Sequence, residues 1–206
     1  MSQAELFALI ALAAVGTFTP GPNTALSATL AANHGLRQAL PFICAVPAGW
    51  GVLLVLNAVG LGAVVLGLPP LRWALMLMGA LYLLWLAYQL ASARSLSEAR
   101  TPLHMSFKQG VLLQFVNVKA WLLAMSVVSG WVIGHDNTTE RLFETLPIFM
   151  GFGLVSNLTY AWVGASLRDW LRGPDNSAQR LQWFNRCMAL ALLGTVAWMG
   201  VSAVTA

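Results

Sequence analysis

Six long apolar stretches alternate with short polar ones along this chain, a pattern that predicts membrane-spanning helices. The run AVPAGWGVLLVLNAVGLGAVVLGL by itself exceeds the roughly 20 residues that cross a hydrocarbon core. The hydrophobic pattern places spans at about 5–32, 39–67, 71–93, 108–133, 142–168 and 180–204. The second and fifth are longer than a straight crossing requires, so tilt or bending is expected. Pro41, Pro47 and Pro147 offer places to bend. Inside the first stretch stands FTPGPN, where two prolines and a glycine interrupt an otherwise apolar run. A proline inside a helix removes a hydrogen bond and costs about 3 kcal/mol, so this segment predicts a broken span.

Composition strengthens the membrane reading. Of 206 residues, 58% are hydrophobic and only 9% charged. A soluble domain carries about 25% charge, so this chain cannot cover itself with a hydrated surface. The start, MSQAELFALIALAAVG, has neither the basic n-region nor the cleavage site of a secretory signal and reads as part of the first span. The net charge of +4 gathers in short loops, which argues against nucleic acid as a partner. Arg37, Arg94, Arg100, Lys108, Arg168, Arg172, Arg180 and Arg186 fall on one side of a six-span arrangement. Arg72 and Arg141 fall on the other, beside Asp136, Glu140 and Glu144. Positive loops stay cytoplasmic, so both termini are expected to face outward. Cys44 and Cys187 lie in separate apolar segments without CxxC spacing and read as small buried hydrophobes.

The halves echo each other. TFTPGPN in the first span can be set against QFVNVKA in the fourth, and GWG at 49–51 against GFG at 151–153. Asn57 and Asn157 follow those glycines. Three spans per half force opposite orientations, so the expected fold is an all-α integral membrane protein with six transmembrane helices in two inverted three-helix repeats, residues 1–100 and 101–206.

In lipid, backbone groups freed by a break must be satisfied within the protein or by a cavity. Pro20, Gly21 and Pro22 therefore point to a polar interior site. Proline suits the first position of a new helix, which would begin near Pro22 with Thr19 as its cap. The free N–H groups and positive dipole end of that half-helix favour a carboxylate. Asn23 adds an amide. A packing kink is the plainer alternative, since proline is common in membrane helices. Lys119 is the second signal: it lies about 16 Å beyond Lys108 at helical rise, near the bilayer centre. A lysine there costs about 2.5–3.5 kcal/mol and is too deep to reach an interface. The seven acids all fall in loops or at span ends, so Lys119 is neutral, held by carbonyls, or matched to a substrate carboxylate. Asn117 would point about 200° from Lys119 on a regular helix, so the two share a face only where the span is distorted. Gln114, Asn57, Asn157, Thr159 and Tyr160 are further in-span polar groups, a type more often glue between helices than ligand. Trp50, Trp121 and Trp162 are candidates to line a cavity.

Away from their ends the spans hold no Asp, Glu or His, so no metal is expected, and neither a phosphate loop nor an intramembrane hydrolase motif is present. His34, His104 and His135 read as loop or interface residues. No cofactor and no enzymatic activity are expected.

At TPGPN, the following HGLRQAL loop, GALYLLWLAYQ and FKQGVLLQFVNVKAWLL, the sequence resembles the lysine-exporter type (LysE/RhtB) amino-acid efflux proteins over nearly its whole length. The family usually has Asn-Pro-Lys in the fourth span, whereas Val118 stands here in place of the proline. The QFVNVK variant looks like the branch exporting cysteine and its precursor O-acetylserine. The resemblance implies secondary export of a small amino acid, coupled to the proton gradient, with Pro20, Gly21, Pro22, Asn23, Asn117 and Lys119 as the central motif. With no acid in the bundle, neutral zwitterions are favoured over cationic side chains. Lys119 is the obvious in-span group to carry a proton. Two other classes compete: a membrane thiol–disulfide carrier, which needs paired cysteines at the breaks, and a non-transporting scaffold assembled through small-residue faces such as Gly60-Leu61-Gly62. The partners expected are the amino acid, the lipid bilayer and, for so small a bundle, a second copy in a homodimer.

Overall fold

A computed structural model describes residues 1–92, 105–173 and 179–205. Arg94, Glu98, Arg100, His104 and Asp175 lie outside the described residues, and the expectations placed on them with them. The described residues form helices and no strand: α1 (Gln3–Phe18), α2 (Pro22–His34), α3 (Leu36–Ala58), α4 (Leu61–Gly67), α5 (Pro69–Ser92), α6 (Phe107–Val116), α7 (Val118–Val127), α8 (Thr138–Ser166), α9 (Arg168–Arg172) and α10 (Gln179–Thr205). A π-helical turn, Val128–Val132, continues α7. Among the described residues, α3, α5, α8 and α10 are each long and apolar enough to cross a membrane. Two bent pairs, α1 with α2 (52°) and α6 with α7 and its π turn (71°), raise the number to six when each counts as one span.

The expected second span proves too long. Its helix stops at Ala58, Gly60 turns the chain at φ +96°, and α4 is a separate short helix. A left-handed residue cannot continue a helix, and glycine adopts that conformation without a Cβ clash. The expected HGLRQAL loop shrinks to one residue, Gly35 at φ +89°, with α3 beginning at Leu36. Pro41 and Pro47 lie inside α3 and Pro147 inside α8, each within one continuous helix.

Two apolar clusters hold the bundle together. One gathers Leu26 and Leu30 of α2, Phe42 and Ile43 of α3, Leu86 of α5, Leu113 of α6 and Leu192 of α10. The other gathers Leu9 of α1, Trp50 and Leu53 of α3, Trp121 and Ala124 of α7 and Phe149 of α8. Small residues let backbones meet where helices cross: a Cβ on Gly164 of α8 would strike the Ala28 carbonyl of α2, and one on Gly49 of α3 would lie 2.9 Å from Val111 of α6. Cys44 and Cys187 correct the expectation of burial. Both are free and exposed, because they stand on the outward faces of α3 and α10, where lipid rather than protein surrounds an apolar side chain.

One end of the bundle is polar and paired. Arg141, 9% exposed, bonds Glu5 at 3.1 Å, the Asn137 side chain and the Trp131 carbonyl, and the N-terminal ammonium bonds Glu144 at 3.3 Å. The start of α1 thus shares an end with the start of α8. Arg180 near the start of α10 lies over Trp170 of α9, and within α10 Arg186 lies over Trp183.

Candidate functional site

The two breaks are built differently. Thr19 ends α1 rather than starting α2, since its N–H and hydroxyl both donate to the Val15 carbonyl. This corrects the expected cap: the N-cap of α2 is Gly21, with Pro22 in the first helical position, where its missing N–H costs nothing. Thr24 closes the turn, its hydroxyl accepting from the Gly21 N–H and donating to the Gly21 carbonyl, both at 3.0 Å. Ala25 makes the first backbone bond of α2, which leaves the Asn23 and Thr24 amides without an intrahelical acceptor.

The carbonyls opened at the end of α1 are taken by distant side chains. Ser156 donates to Thr17 O at 2.8 Å, Tyr160 to Phe18 O at 2.9 Å and Lys119 Nζ to Thr19 O at 2.7 Å. Ser156 and Tyr160 stand one turn apart on α8, so a single helix face serves consecutive carbonyls.

Asn117 breaks the fourth span without help from proline. Its extended backbone (φ −90°, ψ 99°) ends α6 and starts α7, and its carbonyl accepts from the Ala120 and Trp121 amides. Trp121 donates its indole N–H to Phe115 O at 2.8 Å. A Cβ on Gly79 of α5 would collide with Val116 O, so that carbonyl meets bare backbone. The bend puts Asn117 and Lys119 on one cavity, which a regular helix would not.

That cavity is open at its mouth, with about 540 Å³ of empty space when the open solvent at the mouth is included. It sits where the two apolar clusters meet, lined by Val46 of one and Trp50, Ala120 and Phe149 of the other. Gly21, Pro22, Asn23, Asn117, Lys119 and Asn157 reach it from the expected set. Gln114 stands behind, exchanging two amide hydrogen bonds with Asn23 (2.9 and 3.2 Å) and donating a third to Gly110 O. Asn157 accepts from Ser27 and donates to Gly153 O, both at 2.8 Å. Asn117, 4% exposed, makes no side-chain capping bond. Pro20 and Tyr160 stand at the α1 break outside the lining, Tyr160 acting through Phe18 O. Asn57 is elsewhere, at the end of α3 against Gly62, bonded back to Leu53 O.

Of the three tryptophans expected as candidates, Trp50 lines the cavity, stacked on Phe149 with centroids 4.8 Å apart. Trp121 is bonded within the apolar core and Trp162 is 64% exposed on the outside of α8. Sequence reasoning missed Phe149 and the role of Ser156. The i, i+4 pairing of Ser156 with Tyr160 was the available signal, but the carbonyls it meets could not be read from the pattern. Among the described residues no acidic side chain lines the cavity, and neither cysteine does.

Comparison with known proteins gives a consistent picture. The chain is 28% identical over 168 residues to a cysteine/O-acetylserine efflux protein of Klebsiella pneumoniae subsp. pneumoniae, covering 80% of this chain and 84% of that one. Cysteine/O-acetylserine efflux proteins of Salmonella choleraesuis (28%) and Escherichia coli O1:K1 (27%) match across 73% of this chain and 77% of theirs. No solved structure matches. The family model LysE type translocator matches residues 14–203. The chain belongs to that family and is a multi-pass membrane protein.

Proposed function

We propose that this LysE type translocator is a secondary transporter that exports small neutral amino acids, cysteine and O-acetylserine or homoserine and threonine, through the cavity between its two broken spans. The carrying observation is that both breaks open on one cavity that contains Lys119 and, among the described residues, no acidic side chain. A zwitterion supplies the missing anion. Lys119 has three N–H donors, of which one holds Thr19 O, and the amides at the start of α2 lie on the same cavity, so both suit a carboxylate. Asn117 takes the ammonium. Asn23, engaged twice with Gln114, orients the site more than it binds. The names of the relatives support a sulfur- or ester-bearing substrate.

The breaks fall in the first span of each half, at FTPGPN and QFVNVK, which supports two inverted three-helix repeats over 1–100 and 101–206 and alternating access between them. In this reading the paired end carrying Arg141, Glu5 and Glu144 faces outward, both termini with it, and the end carrying Arg168 and Arg180 faces the cytoplasm of a bacterial inner membrane. Outward movement is driven by proton exchange, with Lys119 as the proton carrier, in a homodimer.

The test is efflux of labelled cysteine and O-acetylserine, with threonine and lysine as comparators, from proteoliposomes under a set pH gradient. Gradient-driven efflux by the wild type is expected, with lysine excluded. A wild type that moves none of the neutral amino acids in either orientation overturns the reading. Lys119→Arg addresses coupling, because arginine stays protonated: a pH profile unchanged in that variant removes Lys119 as proton carrier. Activity lost in a Cys44→Ala, Cys187→Ala double variant would instead favour thiol–disulfide chemistry.

A further inference from the structure

Glycine is the poorest helix former after proline, so a glycine buried inside a helix needs a reason. Most have one here. A Cβ on Gly79 would collide with Val116 O, one on Gly164 with Ala28 O, and one on Gly110 would lie 2.6 Å from Ala45 Cβ. In the GWG motif of α3, a Cβ on Gly49 would lie 2.9 Å from Val111 of α6, and one on Gly51 3.2 Å from Met150 of α8, so both glycines serve helix packing. The matching GFG of α8 differs. Gly151 is exposed with no atom near its Cβ position. Gly153 is buried, yet a Cβ there would meet only Pro47 Cβ of α3, at 3.8 Å, an ordinary contact. Among the described residues every other buried glycine has a neighbour at 3.2 Å or less from that position. Nor is Gly153 among the glycines with positive φ, so neither packing nor backbone conformation calls for glycine there.

The room beside Gly153 belongs to the cavity. Phe149, Gly153 and Asn157 stand one turn apart on α8, and all three line it, as Pro47 does from α3. The gap between Pro47 and Gly153 is held open on both sides. Trp50 of α3 stacks on Phe149, with centroids 4.8 Å apart, and Asn157 accepts from Ser27 of α2 while donating to Gly153 O. Resting on the reading of the cavity as an amino-acid site, we infer that Gly153 sets how large a substrate side chain is accepted. The carboxylate and ammonium of the substrate occupy Lys119 and Asn117, and its side chain extends to the apolar wall of Val46, Pro47 and Gly153. The missing Cβ leaves room for the outer atoms of a longer side chain, such as the acetyl group of O-acetylserine or the second methylene of homoserine. A methyl group at 153 takes that room. Gly153 is thus a specificity-determining residue, and uncharged side chains longer than that of cysteine are the class it admits.

Paired substrates test this in proteoliposomes: O-acetylserine against cysteine, and homoserine against serine, for wild type, Gly153→Ala and Gly151→Ala. The wild type is expected to move both members of a pair. Gly153→Ala should depress transport of the longer member relative to the shorter by at least about 10-fold, the worth of one methyl group in a fitted pocket. Gly151→Ala, on the same motif but off the cavity, should keep the wild-type ratio. Alanine favours the helix; if that chain nevertheless fails to assemble, Gly153→Ser fills the same space with a hydroxyl that can bond back to a carbonyl one turn earlier. A ratio unchanged in Gly153→Ala, whatever the total rate, overturns the inference and leaves the efflux reading standing, because a purely structural change lowers both members alike. A wild type confined to the shorter members overturns it as well. A wild type that moves none of the four overturns the inference, and one that moves no other neutral amino acid either overturns both.

Discussion

At the break between α1 and α2, three successive carbonyls receive donors from residues 100 to 142 positions away, whereas at the break between α6 and α7 the donors come from within the same span. Pro and Gly make the first break unavoidable, but its satisfaction depends on α7 and α8 staying in place. The second has no proline; the Asn117 backbone, the Trp121 indole and the close approach of Gly79 suffice. A break satisfied from outside its own span responds to relative movement of helices, and one satisfied from inside moves as a unit. In the proposed transport cycle the first is where substrate occupancy and helix movement would meet. Lys119 links the two breaks: it stands in α7, just past one, and holds the Thr19 carbonyl at the other.

The difference can be broken most forcefully at Lys119. Lys119→Ala removes both the cation proposed to meet the substrate carboxylate and the tie to Thr19 O, and efflux is expected to fall about 100-fold, the order found when one partner of a desolvated charge contact is truncated. Transport above a third of wild type would show that the tie is dispensable. Gly79→Ala attacks the second break by forcing a methyl group onto Val116 O, and detergent-solubilised protein should lose about 1–3 kcal/mol of stability. Gly194→Ala, with open space around it, is the control and should be neutral or slightly stabilising. Ser156→Ala and Tyr160→Phe each withdraw one donor from the first break, at about 1 kcal/mol apiece. Hydrogen exchange should rise around residues 17–21 in both variants and stay unchanged at 115–121; a rise at both places would mean the breaks are not independent. The smallest effect sharpens the contrast. Val118→Pro puts proline at the first position of α7, after an already extended Asn117, and should be neutral or raise stability by about 0.4–1 kcal/mol, read as a shift in thermal midpoint.

Much of this was legible in the chain. The helical segments, the break at FTPGPN, the start of α2 at Pro22 and the isolation of Lys119 follow from local rules: apolar run length, the missing N–H of proline and the cost of a charge in lipid. The break at Asn117 was hidden, because neither Asn nor Val is an obligate helix breaker and the family proline is absent. Asn57 looked equivalent to Asn157 by its place after a glycine pair, and both do bond back to the carbonyl four residues earlier. Only Asn157 reaches the cavity. Burial of the cysteines was misjudged because an apolar segment in a membrane has a lipid face as well as a protein face, and hydrophobicity does not separate them.

By itself the sequence determined which segments are apolar enough to enter a membrane, where the first span must break and that no acid lies near Lys119 along the chain, since each depends on residues near one another along the chain. Tertiary structure alone decided which donors reach the carbonyls of α1, that Asn117 and Lys119 face one cavity, and that Trp50 stacks on Phe149 along its wall. Those outcomes depend on contacts between distant helices, and helix periodicity shows only which residues share a face, never which face of another helix they meet.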